Sequence, residues 1–140
     1  MQKNGVFLGF DFGMKRIGSA VGQSITKQSK ALKTISAKNG EPDWDTLEDL
    51  IDTWSPEALI VGIPLNMDGT EQEITQHAKT FAHKLKHRFN LPIFEEDERL
   101  STIEAKQNLY DIGGYKALKK KEIDCFAAKI ILDSWLINQT

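Results

Sequence analysis

The chain carries a single cysteine, Cys125, so no intrachain disulfide can form, and a lone thiol fits a reducing compartment. No apolar stretch is long enough to span a bilayer, which predicts no membrane association. The opening residues, Met1 to Gly5, lack the apolar run of a secretory leader and predict a cytoplasmic protein. Positive charge is not in excess: 18 Lys and Arg face 20 Asp and Glu, for a net charge of −2. There is then no global basic field, and any contact with nucleic acid must come from a local patch. Repeats, linkers and low-complexity segments are absent as well. What is present is ordinary for a globular protein, with 40% hydrophobic and 27% charged residues. Its 140 residues are the size of one domain, so residues 1–140 are predicted to fold as a single unit around a full core.

The predicted element order is β-β-β-α-β-α-β-α-α. Val6 to Phe10 and Ile17 to Val21 are apolar runs separated by a tight turn. Ala31 to Ile35 makes a third strand after a polar turn at Thr26 to Lys30, and Asn39, Gly40 and Pro42 then break the pattern. Trp44, Leu47, Leu50, Ile51 and Trp54 recur at helical spacing, with Asp43 as N-cap and Ser55-Pro56 as the stop. Ala58 to Ile63 suits a strand buried on both faces. Thr70 and Glu73 have capping-box spacing ahead of a helix carrying Ile74, Ala78, Phe81, Ala82 and Leu85. Leu91 to Phe94 makes a strand that runs into Glu95-Glu96-Asp97-Glu98. Ser101 and Glu104 open another helix, Gly113-Gly114 breaks it, and a last helix carries Ile123, Phe126, Ala127, Ile130, Ile131, Leu132 and Trp135. This order fits an α/β fold: a five-stranded mixed sheet, first strand central, second strand antiparallel to it, helices on both faces.

The most informative residues are 6–20. An apolar strand ends in Asp11, Gly13 makes the turn, Lys15 and Arg16 follow, and the chain returns. A carboxylate at the end of a buried strand is costly unless a cation or ligand meets it; the plainer reading is that Asp11 orders the turn. Sites in open α/β sheets form beyond the carboxyl ends of the parallel strands. Three such ends bear polar groups here: Asp11, the stretch Pro64 to Glu71, and the stretch Asp97 to Thr102. Asp124 lies on one helical stripe with Ala128, Ile131 and Trp135, so it either faces inward or sits at a surface edge. If Asp11, Glu98 and Asp124 converge, their mutual repulsion calls for divalent cations. Oxygen ligands without thiolate favour Mg²⁺ or Mn²⁺, and a pair of such ions suits phosphodiester hydrolysis.

The stretch Gly9-Phe10-Asp11-Phe12-Gly13-Met14-Lys15-Arg16-Ile17-Gly18-Ser19-Ala20 resembles the opening motif of the YqgF family, also called RuvX. Pro64 to Glu71, Asp97 to Thr102 and Lys121 to Leu132 resemble its other three blocks, in order and at similar spacing, over nearly the whole chain. The resemblance implies an RNase H-like fold and a metal-dependent nuclease that matures the 5′ end of 16S rRNA during ribosome assembly. It implies pre-16S rRNA and ribosomal precursor particles as partners, with branched DNA such as a Holliday junction as the other substrate class. Its acidic set maps onto Asp11, Glu98 and Asp124; Asp97 or Asp68 is the substitute for the second position, because the strand end cannot be phased from sequence. A monomer or weak homodimer is expected.

Lys15, Arg16 and Arg99 neighbour these carboxylates and can clamp phosphates, or simply balance them. Asp68-Gly69-Thr70-Glu71 precedes a helix N-terminus, where free N–H groups favour an anion; Thr70 serves either that or capping alone. His83 and His87 have i,i+4 spacing but no third ligand. Cys125 reads as packing, and Trp44, Trp54 and Trp135 read as core rather than base-stacking platforms. Two other functions share some of these features. A sugar-kinase or Hsp70-like ATPase also holds phosphate with Asp-x-Gly turns, but needs a second such domain and a second such turn. A non-catalytic RNA-binding assembly factor needs only the basic residues.

Overall fold

Six strands form one mixed sheet in the computed structural model, which describes residues 5–97 and 120–138. The elements are β1 (Val6–Asp11), β2 (Arg16–Gln23), β3 (Gln28–Lys38), β4 (Glu41–Pro42), α1 (Trp44–Trp54), β5 (Ala58–Ile63), α2 (Glu73–Phe89), β6 (Ile93–Asp97) and α3 (Lys120–Ile137). Strand order is β4-β3-β2-β1-β5-β6, so β1 lies inside the sheet. It pairs antiparallel with β2 and parallel with β5, and β5 pairs parallel with β6. The sixth strand corrects the expected five. Asn39 and Gly40, both at positive φ, turn the chain back, and Glu41 and Pro42 pair with Lys38 and Ala37. Proline is tolerated there because β4 is an edge strand. The helix expected after Ser101 lies outside the described residues.

Each face of the sheet is covered differently. Alternate residues of β1 point to opposite faces. Leu8 and Phe10 join Ile17, Val21, Ile35, Leu59 and Val61 on one face, beneath Leu47 and Leu50 of α1 and Ala78, Phe81, Ala82 and Leu85 of α2. Asp43 caps α1 as expected, accepting the Asp45 N–H, and Ser55 ends it in the left-handed region. The other face lies beneath α3: Ala20 and Ile60 meet Ala128, Ile131, Leu132, Trp135 and Leu136, with Phe7 packed alongside. Glycines let α3 come close here. A β-carbon on Gly9 would stand 2.8 Å from Leu132 Cβ, and one on Gly22 would stand 2.8 Å from Leu136 Cδ1.

Two boundaries move. The Thr70–Glu73 spacing does not make the cap of α2; Gln72 is the N-cap, and its capping box is closed by Thr75. Thr70 is engaged by Asp68, and an isolated antiparallel bridge between Leu65 and Glu71 closes a turn over 66–70, so the helix cannot begin before 72. β6 runs on through Glu95, Glu96 and Asp97, because on the outer side of β5 their side chains stay partly in water.

Candidate active site

Asp11 ends β1 half-buried, directly between two glycines: Gly18 of β2 on one side and Gly62 of β5 on the other. Thr34 pairs with Gly18, and Glu96 pairs with Gly62. One row across the sheet therefore reads Thr34–Gly18–Asp11–Gly62–Glu96. By alternation Asp11 shares the face of Phe7 and Gly9, the face that α3 covers. No side chain flanks it in its own row on the adjacent strands.

The turn after Asp11 is shaped by contacts that few residues tolerate. A β-carbon on Gly13 would lie 2.4 Å from the Arg16 carbonyl oxygen, so only glycine fits. Phe12 is buried, its ring centroid 5.3 Å from that of Phe81. Ala37 N–H donates to the Lys15 carbonyl at 2.9 Å, and Gly40 N–H donates to the Met14 carbonyl at 2.9 Å. These bonds fix the turn against β3 and β4. They hold Arg16, half-buried, two residues from the Gly18 of the Asp11 row, with Lys15, exposed, next to it.

The direction of α3 brings position 124 to the same row. Leu136 packs on Gly22, which pairs with Phe7 near the start of β1, whereas the Ala128 carbonyl and Leu132 pack on Gly9. The helix thus runs antiparallel to β1. From Ala128 back to 124 is four residues, about 6 Å of helix; from Gly9 on to Asp11 is two residues, about 6.6 Å of strand. Position 124 also continues the stripe of Ala128, Ile131 and Trp135, all buried against the sheet. Its neighbour Cys125 confirms the level: Cys125 Sγ lies 3.3 Å from Thr34 Oγ1, in the Asp11 row. The side chain of Asp124 itself lies outside the described part, as do Glu98 and Arg99 entirely.

The substitutes for the second acidic position are sorted by parity. Glu95 faces Lys79 of α2, and Glu96 accepts from Ser134 Oγ of α3 at 2.8 Å. Asp97 therefore falls on the α2 face, opposite Asp11. Asp68 holds its own loop, accepting from Thr70 N–H at 2.9 Å and Thr70 Oγ at 2.6 Å. Asn66 Nδ2 donates to the same hydroxyl at 2.9 Å. Thr70 thus braces the loop beyond β5 instead of capping the helix. Glu71 anchors that loop to α2: the hydrogen bond from Lys79, and then one from Gln76, hold its carboxyl below the usual range, and Lys79 is raised in turn. Glu96, which lies in the Asp11 row, was not singled out by the sequence pattern. Its signal was parity, since it sits two residues after Phe94, whose ring packs on Trp135 of α3.

Asp11 offers hard oxygen donors at a half-buried position, a donor type that fits Mg²⁺ or Mn²⁺. Among the described residues no three His, Cys, Asp or Glu side chains gather closely enough to hold a metal ion. His83 and His87 are exposed, beside Lys84 and Arg88, which pair with Glu41 and Glu48. Cys125 is buried, Trp135 packs in the α3 core, and Trp44 and Trp54 are half-buried against the other core. Among the described residues no helix is long and apolar enough to cross a membrane.

Known proteins share this fold. A yeast mitochondrial Holliday junction resolvase, Ydc2, superposes with TM-score 0.57 at 10% identity, covering 97% of this chain and 79% of that one. Thermus thermophilus RuvC, solved with a Holliday junction substrate, gives TM-score 0.53 at 15% identity, covering 91% of each chain. These likenesses establish an RNase H-like, RuvC-type fold. In sequence, a protein of Shewanella denitrificans named "Putative pre-16S rRNA nuclease" is 50% identical over 139 residues, 99% of each chain. One of the same name from Actinobacillus pleuropneumoniae serotype 7 is 54% identical over 132 residues, 94% of this chain and 96% of that one. Residues 5–138 match the family described as "RuvX: Holliday junction resolvase", and with these relatives the match establishes that the chain belongs to the RuvX family.

Proposed function

We propose that this chain is a metal-dependent endonuclease that hydrolyses phosphodiester bonds in precursor 16S rRNA, acting in the cytoplasm on ribosomal precursor particles. The observation that carries it is the placement of Asp11. It ends an inner strand between two glycines, under the helix whose position 124 stands level with it. The names of the half-identical relatives support rRNA as substrate. Asp11, Glu98 and Asp124 are the carboxylates that would hold Mg²⁺ or Mn²⁺. When bound, such ions activate water and stabilise the leaving oxygen. Lys15, Arg16 and Arg99 hold the flanking phosphates, and Thr70 keeps the loop beyond β5 in shape for the strand to pass.

Labelled precursor 16S rRNA incubated with the protein tests this reading. Cleavage at the 5′ end should need Mg²⁺ or Mn²⁺ and stop in EDTA. Asp11→Asn should reduce it to background while melting normally. Full cleavage by Asp11→Asn or in excess EDTA would remove the metal mechanism. The family description favours a second reading, resolution of a branched DNA. A four-way DNA junction in the same assay decides between them by which substrate is cut. Tight RNA binding with no cutting under any metal would leave the assembly-factor reading.

A further inference from the structure

Contacts at Gly9 and Gly22 and the cluster around Leu132, Trp135 and Leu136 seat the middle and C-terminal half of α3 on the sheet, and on the nuclease reading its N-terminal part must also be held so that position 124 stays level with Asp11. The outer part of the sheet supplies an attachment for that N-terminal part. Between β2 and β3 the register slips: Ala20 pairs with Ala31, but Gly18 pairs with Thr34. One residue of β2, Ser19, therefore faces two of β3, Leu32 and Lys33, which is a β-bulge. Ser19 is fully buried, and its hydroxyl closes the bulge. It donates to the Lys33 carbonyl at 2.5 Å and accepts from the Lys33 N–H at 3.2 Å.

The bulge changes which residues meet α3. Ser29 faces α3, bonding Asp133 at 2.6 Å and the Lys129 carbonyl at 3.1 Å. Unbroken alternation from Ser29 would put Lys33 and Ile35 under the helix. With the extra residue, Ile35 instead enters the opposite core, fully buried, and Thr34 turns to α3. There it meets Cys125, itself buried and adjacent in the chain to Asp124.

We infer that Ser19, the bulge it closes, Thr34 and Cys125 form a latch that fixes the N-terminal part of α3 over the Asp11 row and so sets the position of Asp124. These are positioning residues, and the inference rests on the nuclease reading above. Thr34→Val removes the hydroxyl and keeps the branched shape. It should cut the cleavage rate at saturating Mn²⁺ about tenfold, within the range seen when supports of metal ligands are lost. It should shrink the Mn²⁺-induced rise in Tm and leave RNA affinity unchanged. Thr34→Ser should restore both. Cys125→Ala, measured the same way, serves if Thr34→Val does not fold. A lowered Tm with an undiminished Mn²⁺-induced rise and an undiminished rate would overturn the latch. Asp11→Asn runs alongside: if it loses the Mn²⁺ rise while Thr34→Val keeps it, the latch alone falls. If the parent shows no Mn²⁺ effect, the latch falls together with the metal reading.

Discussion

The two faces of the sheet are built on opposite principles. Beneath α1 and α2 the sheet presents large side chains, among them Leu8, Phe10, Ile17 and Ile35, all fully buried. Beneath α3, β1 and β2 present Gly9, Ala20 and Gly22, and the helix settles almost onto the backbone there, with Phe7, Ile60 and Phe94 packing beside it. The first face gains stability from apolar volume, and such cores tolerate modest repacking. The second gains closeness, which sets geometry more tightly and leaves little room for change. Asp11 and position 124 both belong to the second face. The structure thus separates a face that stabilises from a face that positions.

The sharpest way to break this division is to empty or overfill the α3 contact. Leu132→Ala removes the side chain that spans Gly9 and Gly22 and should cost about 2–5 kcal/mol of stability, read by denaturant melts. Gly9→Ala adds only a methyl, but it would stand against Leu132 Cβ and the Ala128 carbonyl, neither of which can swing aside. It should cost about 1–3 kcal/mol and, by lifting α3, lose most cleavage. On the other face Ile35→Val, also at a fully buried site, should cost about 0.5–1.5 kcal/mol and keep cleavage near the parent rate. Equal losses of activity in Gly9→Ala and Ile35→Val, at matched stability, would erase the distinction.

The smallest effect belongs to the outer surface of the first face. Bonds from Lys84 and then Trp44 hold the Glu41 carboxyl below its usual 4.5. A lowered folded pKa contributes stability that is complete above the unfolded value and lost as pH falls through the folded one. Glu41→Gln should therefore lower Tm at pH 7 by no more than about 3 °C, because the pair is exposed. The difference should shrink below pH 4.5. A difference that grows in acid would reverse the assigned sign.

The same division explains what could be read from the chain. The first face was legible because its signals are side chains. Trp44, Leu47, Leu50 and Trp54 announce α1, Asp43 and Ser55 bound it, and Ala58 to Ile63 suited a strand buried on both faces, which it is. The second face depends on missing side chains at Gly9 and Gly22, and a glycine in a linear pattern reads as a turn or a break. Gly18 and Gly62 flank Asp11 only through register, and register does not appear in a linear pattern. For the same reason Glu96 was invisible among four consecutive acids, and Thr70 looked like a cap until Asp68 was seen to hold it. The bulge at Leu32 and Lys33 left no mark, because its cause, Ser19, lies on another strand. The motif around Asp11 was legible nonetheless, since Gly13 and the return strand are local.

The central claim is that the α3 face carries a metal site built from Asp11 and Asp124, and the most direct test is the Mg²⁺-induced change in Tm. A bound ion stabilises the folded state according to its concentration over its dissociation constant. Parent, Asp11→Asn and Asp124→Asn are melted with and without Mg²⁺. The parent should gain stability with Mg²⁺, and both variants should gain clearly less, while melting at or above the parent temperature without metal because carboxylate repulsion is relieved. Equal Mg²⁺-induced gains in all three proteins would contradict the account.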